Sequence, residues 1–356
     1  MNIEYVCSKI SSVRWLHGEY LRRGGTTATA DVQQQERFWM TGTNNSFGKN
    51  YLSIWSNLPN DTSDGLEAGN SLSGIFKVKG IADYWVPAPV LNIVNYDRRS
   101  VVVSLTNGDL LWLRFSREEG HFQLMGELTG RKGQGPLAGH HSTGHLVNDY
   151  HEVISCGLDG QLRYIDLQQS SAAGSRPAVT RSVRMTANSL HCIDKISPNE
   201  VIVGTTSGHL KLFDKRDGPG DKASLLVAND FAVITAVQRN SHLPHIVAAG
   251  NDHGLLYLWD LRQGGQRPMA PSAAHSAAIT AIRYSATAPN LLFTGSLDGQ
   301  LIRWNIGNDF ELCSVEAIVD KSNPYPITAL DIDAATSQLV FADDNEVLYL
   351  TKGEPQ

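Results

Sequence analysis

His275, Ser296 and Asp298 supply an imidazole, a hydroxyl and a carboxylate within one short stretch of chain. Hydrolases assemble activated nucleophiles from the same three groups. No GxSxG elbow presents the serine, and neither an HExxH motif nor a kinase set occurs elsewhere. Trp304 suggests a different use for these residues. An indole N–H, an imidazole and a carboxylate can form one buried hydrogen-bonded chain that ties a loop to a hairpin turn and a strand. On this reading His275, Ser296, Asp298 and Trp304 are structural. Asp252, Trp259 and Asp260 repeat part of the set, with Phe213 and Tyr164 in the tryptophan's place in two earlier copies.

The other candidate chemistries are weaker. His140, His141 and His145 have no Cys or carboxylate at ligand spacing, so they read as a solvated loop, with no metal expected. Lys132 lies in a glycine-rich run that lacks both GxxxxGK[ST] and a following helix pattern, which leaves nothing to cradle a phosphate. Cys7, Cys156, Cys192 and Cys313 are far apart and show no CxxC. No cofactor site and no catalytic residue are expected.

The elements that position these residues recur along the chain. LLFTGSLDGQLIRWNI (Leu291 to Ile306) is an apolar strand, a tight turn and a second apolar strand, and four cousins precede it. Their turn glycines, Gly108, Gly160, Gly208, Gly254 and Gly299, step by 52, 48, 46 and 45 residues. An alternating strand opens each unit near residues 10, 91, 145, 190, 234, 279 and 327. Short strands at this period, with a Trp-Asp close, predict an all-β, seven-bladed WD40-type β-propeller. The seventh unit is one strand short, and Ile3 to Cys7 can pair with Val347 to Thr351, closing the ring with the N-terminal strand. The whole of 1–356 then forms a single domain with insertions at about 56–90 and 116–144, and 129–144 reads as a flexible loop.

Apolar residues at 41% and charged residues at 19% suit a packed globular chain and argue against disorder. A net charge of −6 opposes direct nucleic-acid binding, which needs a basic face. The first residues lack a secretory signal pattern and no apolar run is long enough to span a bilayer, so a cytosolic or nuclear compartment and no transmembrane segment are expected.

A propeller without catalytic residues is a platform for other proteins. Hairpin turns and inter-blade loops gather on one of its faces. Leu158 and Leu297 occupy turn tips there, and Tyr84, Trp85, Phe231 and Tyr325 lie in the neighbouring loops. Apolar and aromatic side chains on one rim suggest a partner-binding surface; the alternative is that they tuck between blades.

SKISSVRW (Ser8 to Trp15), NYLSIWS (Asn50 to Ser56), GHLKLFDKR (Gly208 to Arg216), GLLYLWDLRQG (Gly254 to Gly264) and EVLYLT (Glu346 to Thr351) follow one another in an order that resembles a known family. This is the forty-three-kilodalton nucleoporin family, the small WD-repeat subunit of the Y-shaped scaffold complex of the nuclear pore. The resemblance is poor from about Leu58 to Tyr150. It implies a non-enzymatic scaffold subunit at the nuclear envelope, with α-solenoid and propeller nucleoporins as partners. It further implies support of pore assembly and of protein and messenger RNA transport, a kinetochore role in mitosis, and no homo-oligomerisation. A second reading rests on Trp259, Asp260, Leu261 and Arg262, a W-D-x-R box like those that dock substrate receptors onto cullin-RING ubiquitin ligases.

Overall fold

The computed structural model describes residues 2–6, 8–16, 37–46, 48–59, 76–116, 120–129, 137, 140–168, 170–171, 174–175, 177–217, 224–227, 231–263, 268–307, 312–320 and 323–351. Seven four-stranded antiparallel sheets form the blades of a β-propeller. Blade one comprises Ile10–Trp15, Arg37–Thr43, Asn50–Pro59 and Phe76–Val86. Blade two runs Val90–Asn95, Ser100–Leu105, Leu110–Ser116, His121–Leu128, and blade three Ser142–Val147, Glu152–Gly157, Gln161–Asp166, Ala178–Arg184. Blade four is Leu190–Lys195, Glu200–Thr205, His209–Asp214, Ser224–Val227, and blade five Ile234–Arg239, Ile246–Asn251, Leu255–Asp260, Met269–Ala273. Blade six is Ile279–Tyr284, Leu291–Ser296, Leu301–Ile306, Leu312–Val319. Blade seven takes Ile327–Ile332, Leu339–Asp343 and Val347–Leu350 from the end of the chain and Asn2–Tyr5 from its beginning. That last pairing is antiparallel, Asn2 opposite Leu350 and Tyr5 opposite Val347.

Local chemistry explains the hairpins. Gly108, Gly160, Gly208, Gly254 and Gly299 all hold positive φ, 72° to 87°, which a side chain resists. The core lies between blades. Ala248, Leu256 and Leu258 of blade five pack with Ile282, Ile302 and Trp304 of blade six, and each large side chain buried this way contributes about 1.5 to 3 kcal/mol. The contact is close enough to require glycine: a Cβ at Gly250 would lie 2.7 Å from Ile279 Cβ.

Two sets of side-chain bonds join neighbouring blades along their inner strands, and neither is apparent from hydrophobic patterning. In every blade the register between the first two strands shifts at the second residue, leaving Ser11, Leu91, Thr143, His191, Thr235, Thr280 and Thr328 unpaired in the ladder. Such a bulge re-aims the side chain. Thr143 Oγ1 donates to Leu190 O (2.8 Å), Thr235 Oγ1 to Ile279 O (2.6 Å) and Thr280 Oγ1 to Ile327 O (2.8 Å), each reaching the next blade. In the second set, Asp194 accepts from Arg239 N, Gln238 from Tyr284 N and Asp331 from Trp15 N.

One blade boundary departs from the sequence reading. Blade three opens at Ser142, before the expected His145. The 56–90 stretch supplies the last residues of one strand and the eleven-residue outer strand of blade one. Lys132, Cys7 and residues 60–75 lie outside the described residues.

Candidate interaction surface

The blade-six set forms a relay with one member that sequence reasoning missed. His275 Nδ1 donates to Asp298 Oδ1 (3.2 Å), and its Nε2 accepts from the Thr294 hydroxyl (2.7 Å). Thr294 Oγ1 in turn accepts from Trp304 Nε1 (2.8 Å). Every polar atom is satisfied with a neutral imidazole. Burial, which lowers the His275 pKa against the pull of Asp298, favours that state. Burial acts to raise the Asp298 carboxyl as well, but bonds from Ser276 N and Gln300 N outweigh it and hold that pKa below its ordinary value. Ser296 Oγ donates to Ala277 O (3.1 Å) and makes no contact with the imidazole, so the hydroxyl fastens the turn to the loop.

Blade three carries a related arrangement of imidazole, carboxylate and hydroxyl, while the full set with Ser296 and Trp304 belongs to blade six. His140 is fully buried, with Nδ1 3.0 Å from Asp159 Oδ1 and Nε2 3.0 Å from Ser155 Oγ. The solvated-loop reading is therefore corrected for His140, and for His145 too. Buried His145 donates Nε2 to Val102 O (3.0 Å), and burial lowers its pKa to about 4. Only His141 is exposed, and among the described residues no group of three ligating side chains forms.

Two assignments shift by one position. Ile165 lies opposite Val153 as Trp304 lies opposite Leu292, so Ile165 holds the tryptophan position and Tyr164 points to the other face. Asp252 stands two residues before Gly254, where blade six has Leu297, and His253 occupies the place of Asp298. Ala249 replaces Thr294 in that blade, and Trp259 Nε1 is buried with no acceptor among the described residues. The W-D-x-R box is engaged locally: Arg262 Nη2 meets Asp260 Oδ2 at 2.7 Å and holds that carboxyl at about 2. Arg216 and Asp214 repeat the pair in blade four.

On the face carrying the turns and inter-blade loops, Trp85, Leu158, Phe231, Leu297 and Tyr325 are exposed, Phe231 at 84%. Tyr84 is the exception, half-buried with its ring 5.5 Å from Phe122. Leu297 and Tyr325 flank one turn, where Asn323 Nδ2 donates to both Gly299 O and Tyr325 O. The others are spread round the ring: Leu158 on blade three, Phe231 at the entrance to blade five and Trp85 at the exit of blade one. Phe231 holds φ 51°, a left-handed conformation that costs a non-glycine residue energy.

Seven blades and relays of the His-Asp-hydroxyl type define a WD-repeat β-propeller, and the family described as "WD domain, G-beta repeat" matches residues 268–305. More particularly, the chain fits a Nup43-like WD-repeat protein. It is 25% identical to human nucleoporin Nup43 over 319 residues, covering 86% of this chain and 76% of that protein. The mouse nucleoporin Nup43 is 23% identical over 316 residues, with the same coverage. A shorter likeness, 24% over 181 residues, links 49% of this chain to 15% of the protein transport protein SEC31 of Yarrowia lipolytica.

Proposed function

We propose that the chain is a non-enzymatic scaffold subunit of the nuclear pore at the nuclear envelope, a single propeller spanning 1–356 that docks an α-solenoid nucleoporin and supports pore assembly and transport. The observation that carries this reading is the likeness to nucleoporin Nup43 across most of the chain. The exposed side chains Trp85, Leu158, Phe231, Leu297 and Tyr325 are the proposed contact set, with Leu297 and Tyr325 as its densest part. Large exposed aromatic groups suit this use because a few desolvated anchors carry most of an interface's energy.

Affinity purification of the tagged full chain at low salt tests the proposal. Co-purification of nucleoporins, with the tag at the nuclear rim, is the expected result. Recovery of a cullin and its adaptor, with no nucleoporins, overturns it.

A further inference from the structure

The face opposite that rim carries a cleft between blades two and three, lined by Tyr96, Asp97, Arg98, Arg99, Arg114 and His151. Its parts are fixed by the fold. Tyr96 N and Asp97 N both donate to Ser100 O, and Asp97 Oδ1 accepts from Arg99 N (2.6 Å), so the turn presents the Arg99 side chain to solvent. Arg114 lies opposite Ser100 in the adjacent strand. His151, at φ 57°, places its ring 5.8 Å from Tyr96, which meets Trp112 edge-on at 5.4 Å, and the three rings form an aromatic wall.

One observation marks the cleft as incomplete. Arg114 Nε is buried and makes no hydrogen bond among the described residues. A buried N–H without an acceptor is costly, more so on a charged group, and an oxygen entering the cleft would remove that cost. The lining sets three guanidinium groups against one carboxylate in a chain whose net charge is −6.

We propose that this cleft binds a phosphate monoester carried on a serine or threonine side chain of a partner polypeptide. Arginine presents paired N–H donors in a planar fork that matches phosphate oxygens, and a phosphoryl group offers three strong acceptors. Arg99 and Arg114 supply the donors, and the Tyr96–His151 wall limits the approach to one side. Tyr150, 57% exposed and adjacent to His151, gives the flanking peptide an apolar contact. The acidic balance of the whole chain disfavours the extended phosphate surfaces of nucleic acid or an anionic bilayer. The cleft lies on the face opposite the proposed nucleoporin contact, so the two readings stand or fall separately.

The test titrates the full chain with a degenerate peptide library fixed at a central phosphoserine or phosphothreonine. Its unphosphorylated twin, inorganic phosphate, and phosphatidylcholine vesicles containing phosphatidylserine are run alongside, with the Arg114 Nε–H resonance observed by NMR. Saturable binding of the phosphorylated library alone, with a shift of that resonance, is expected. Arg114→Gln and Arg99→Gln should each weaken binding roughly tenfold or more, as loss of a charge-assisted bond implies. Arg114→Lys should not restore it, because the fork is lost. Arg99 sits at an exposed turn, so its variant remains informative if Arg114→Gln fails to fold. Several results overturn the proposal: no binding, equal binding of the twin, of inorganic phosphate or of vesicles, or an Arg99→Gln protein that binds like the unaltered chain.

Discussion

Asp331 Oδ2 accepts a hydrogen bond from the backbone N of Trp15 at 2.8 Å, across 316 positions of sequence. The same carboxylate meets Arg283 Nε at 2.8 Å and Arg14 Nη1 at 3.6 Å. One side chain of blade seven thus holds blades six and one, and the ring is closed along its inner strands as well as at its outer edge by Asn2–Tyr5.

Both closures should be measurable. Deleting residues 1–9 removes the outer strand of blade seven and exposes sheet edges, so aggregation or loss of cooperative unfolding is expected by calorimetry and light scattering. Asp331→Ala leaves two arginines and a backbone N–H short of a partner, at a cost of about 3 to 5 kcal/mol in denaturant melts. A deletion variant with an unchanged, soluble melting profile would contradict the closure by strand.

The relay of blade six predicts an unusual sensitivity at a residue with an ordinary appearance. Thr294→Val keeps the shape but removes the acceptor of Trp304 and the donor to His275, so it should cost about 1 to 3 kcal/mol. Trp304→Ala should cost about 3 to 5 kcal/mol through the cavity it leaves. Partner binding should decline only as folding declines; a folded variant that has lost binding alone would assign the relay another role.

His145 makes stability depend on pH in a stated direction. Its folded pKa, about 4, lies below the ordinary value of 6.5 because burial disfavours the cation. Above pH 6.5 both states are neutral and its contribution is fully present. As pH falls from 6.5 towards 4 the unfolded chain takes up a proton that the folded chain refuses, and about 3 kcal/mol is lost. Urea melts at pH 7 and pH 4.5 should diverge less for His145→Gln than for the unaltered protein. Equal divergence would place the acid sensitivity elsewhere.

Phe231 separates stability from association. Phe231→Gly relieves the left-handed backbone and should stabilise the fold by about 1 kcal/mol, while weakening pore-complex capture. Phe231→Asp combined with Leu297→Asp should leave the melting temperature near that of the unaltered chain and abolish capture. If the double variant unfolds, these side chains are packing groups. If it folds and still assembles, the partner uses another face.

Much of the architecture was legible because it is local. Period-2 alternation marks the strands, and the five turn glycines need the positive φ that hairpin turns require. The errors were also local in origin. Tyr164 and Ile165 are adjacent, and a one-residue shift exchanges the two faces of a strand, so aromatic character drew the assignment to the wrong one. His140 lies two residues before its strand, whereas His275 lies four before its own, so spacing hid the equivalence. A signal for the second set of inter-blade bonds was present at the fifth position of the inner strands, in Arg14, Asp194, Gln238, Arg283 and Asp331. It carries no meaning until those strands are known to face one another.

The sequence by itself determined the number of blades, five of their glycine-turn hairpins and the strand available to complete the seventh blade, since these follow from backbone preferences and the side-chain period within a few residues. Tertiary structure alone decided which polar groups meet: Asp331 with Trp15, His145 with Val102, Thr294 between His275 and Trp304. It also left Arg114 Nε without an acceptor among the described residues. The physical reason is that a buried hydrogen bond depends on distance and angle between elements from different blades, and those are set by the rotation of one packed sheet against the next.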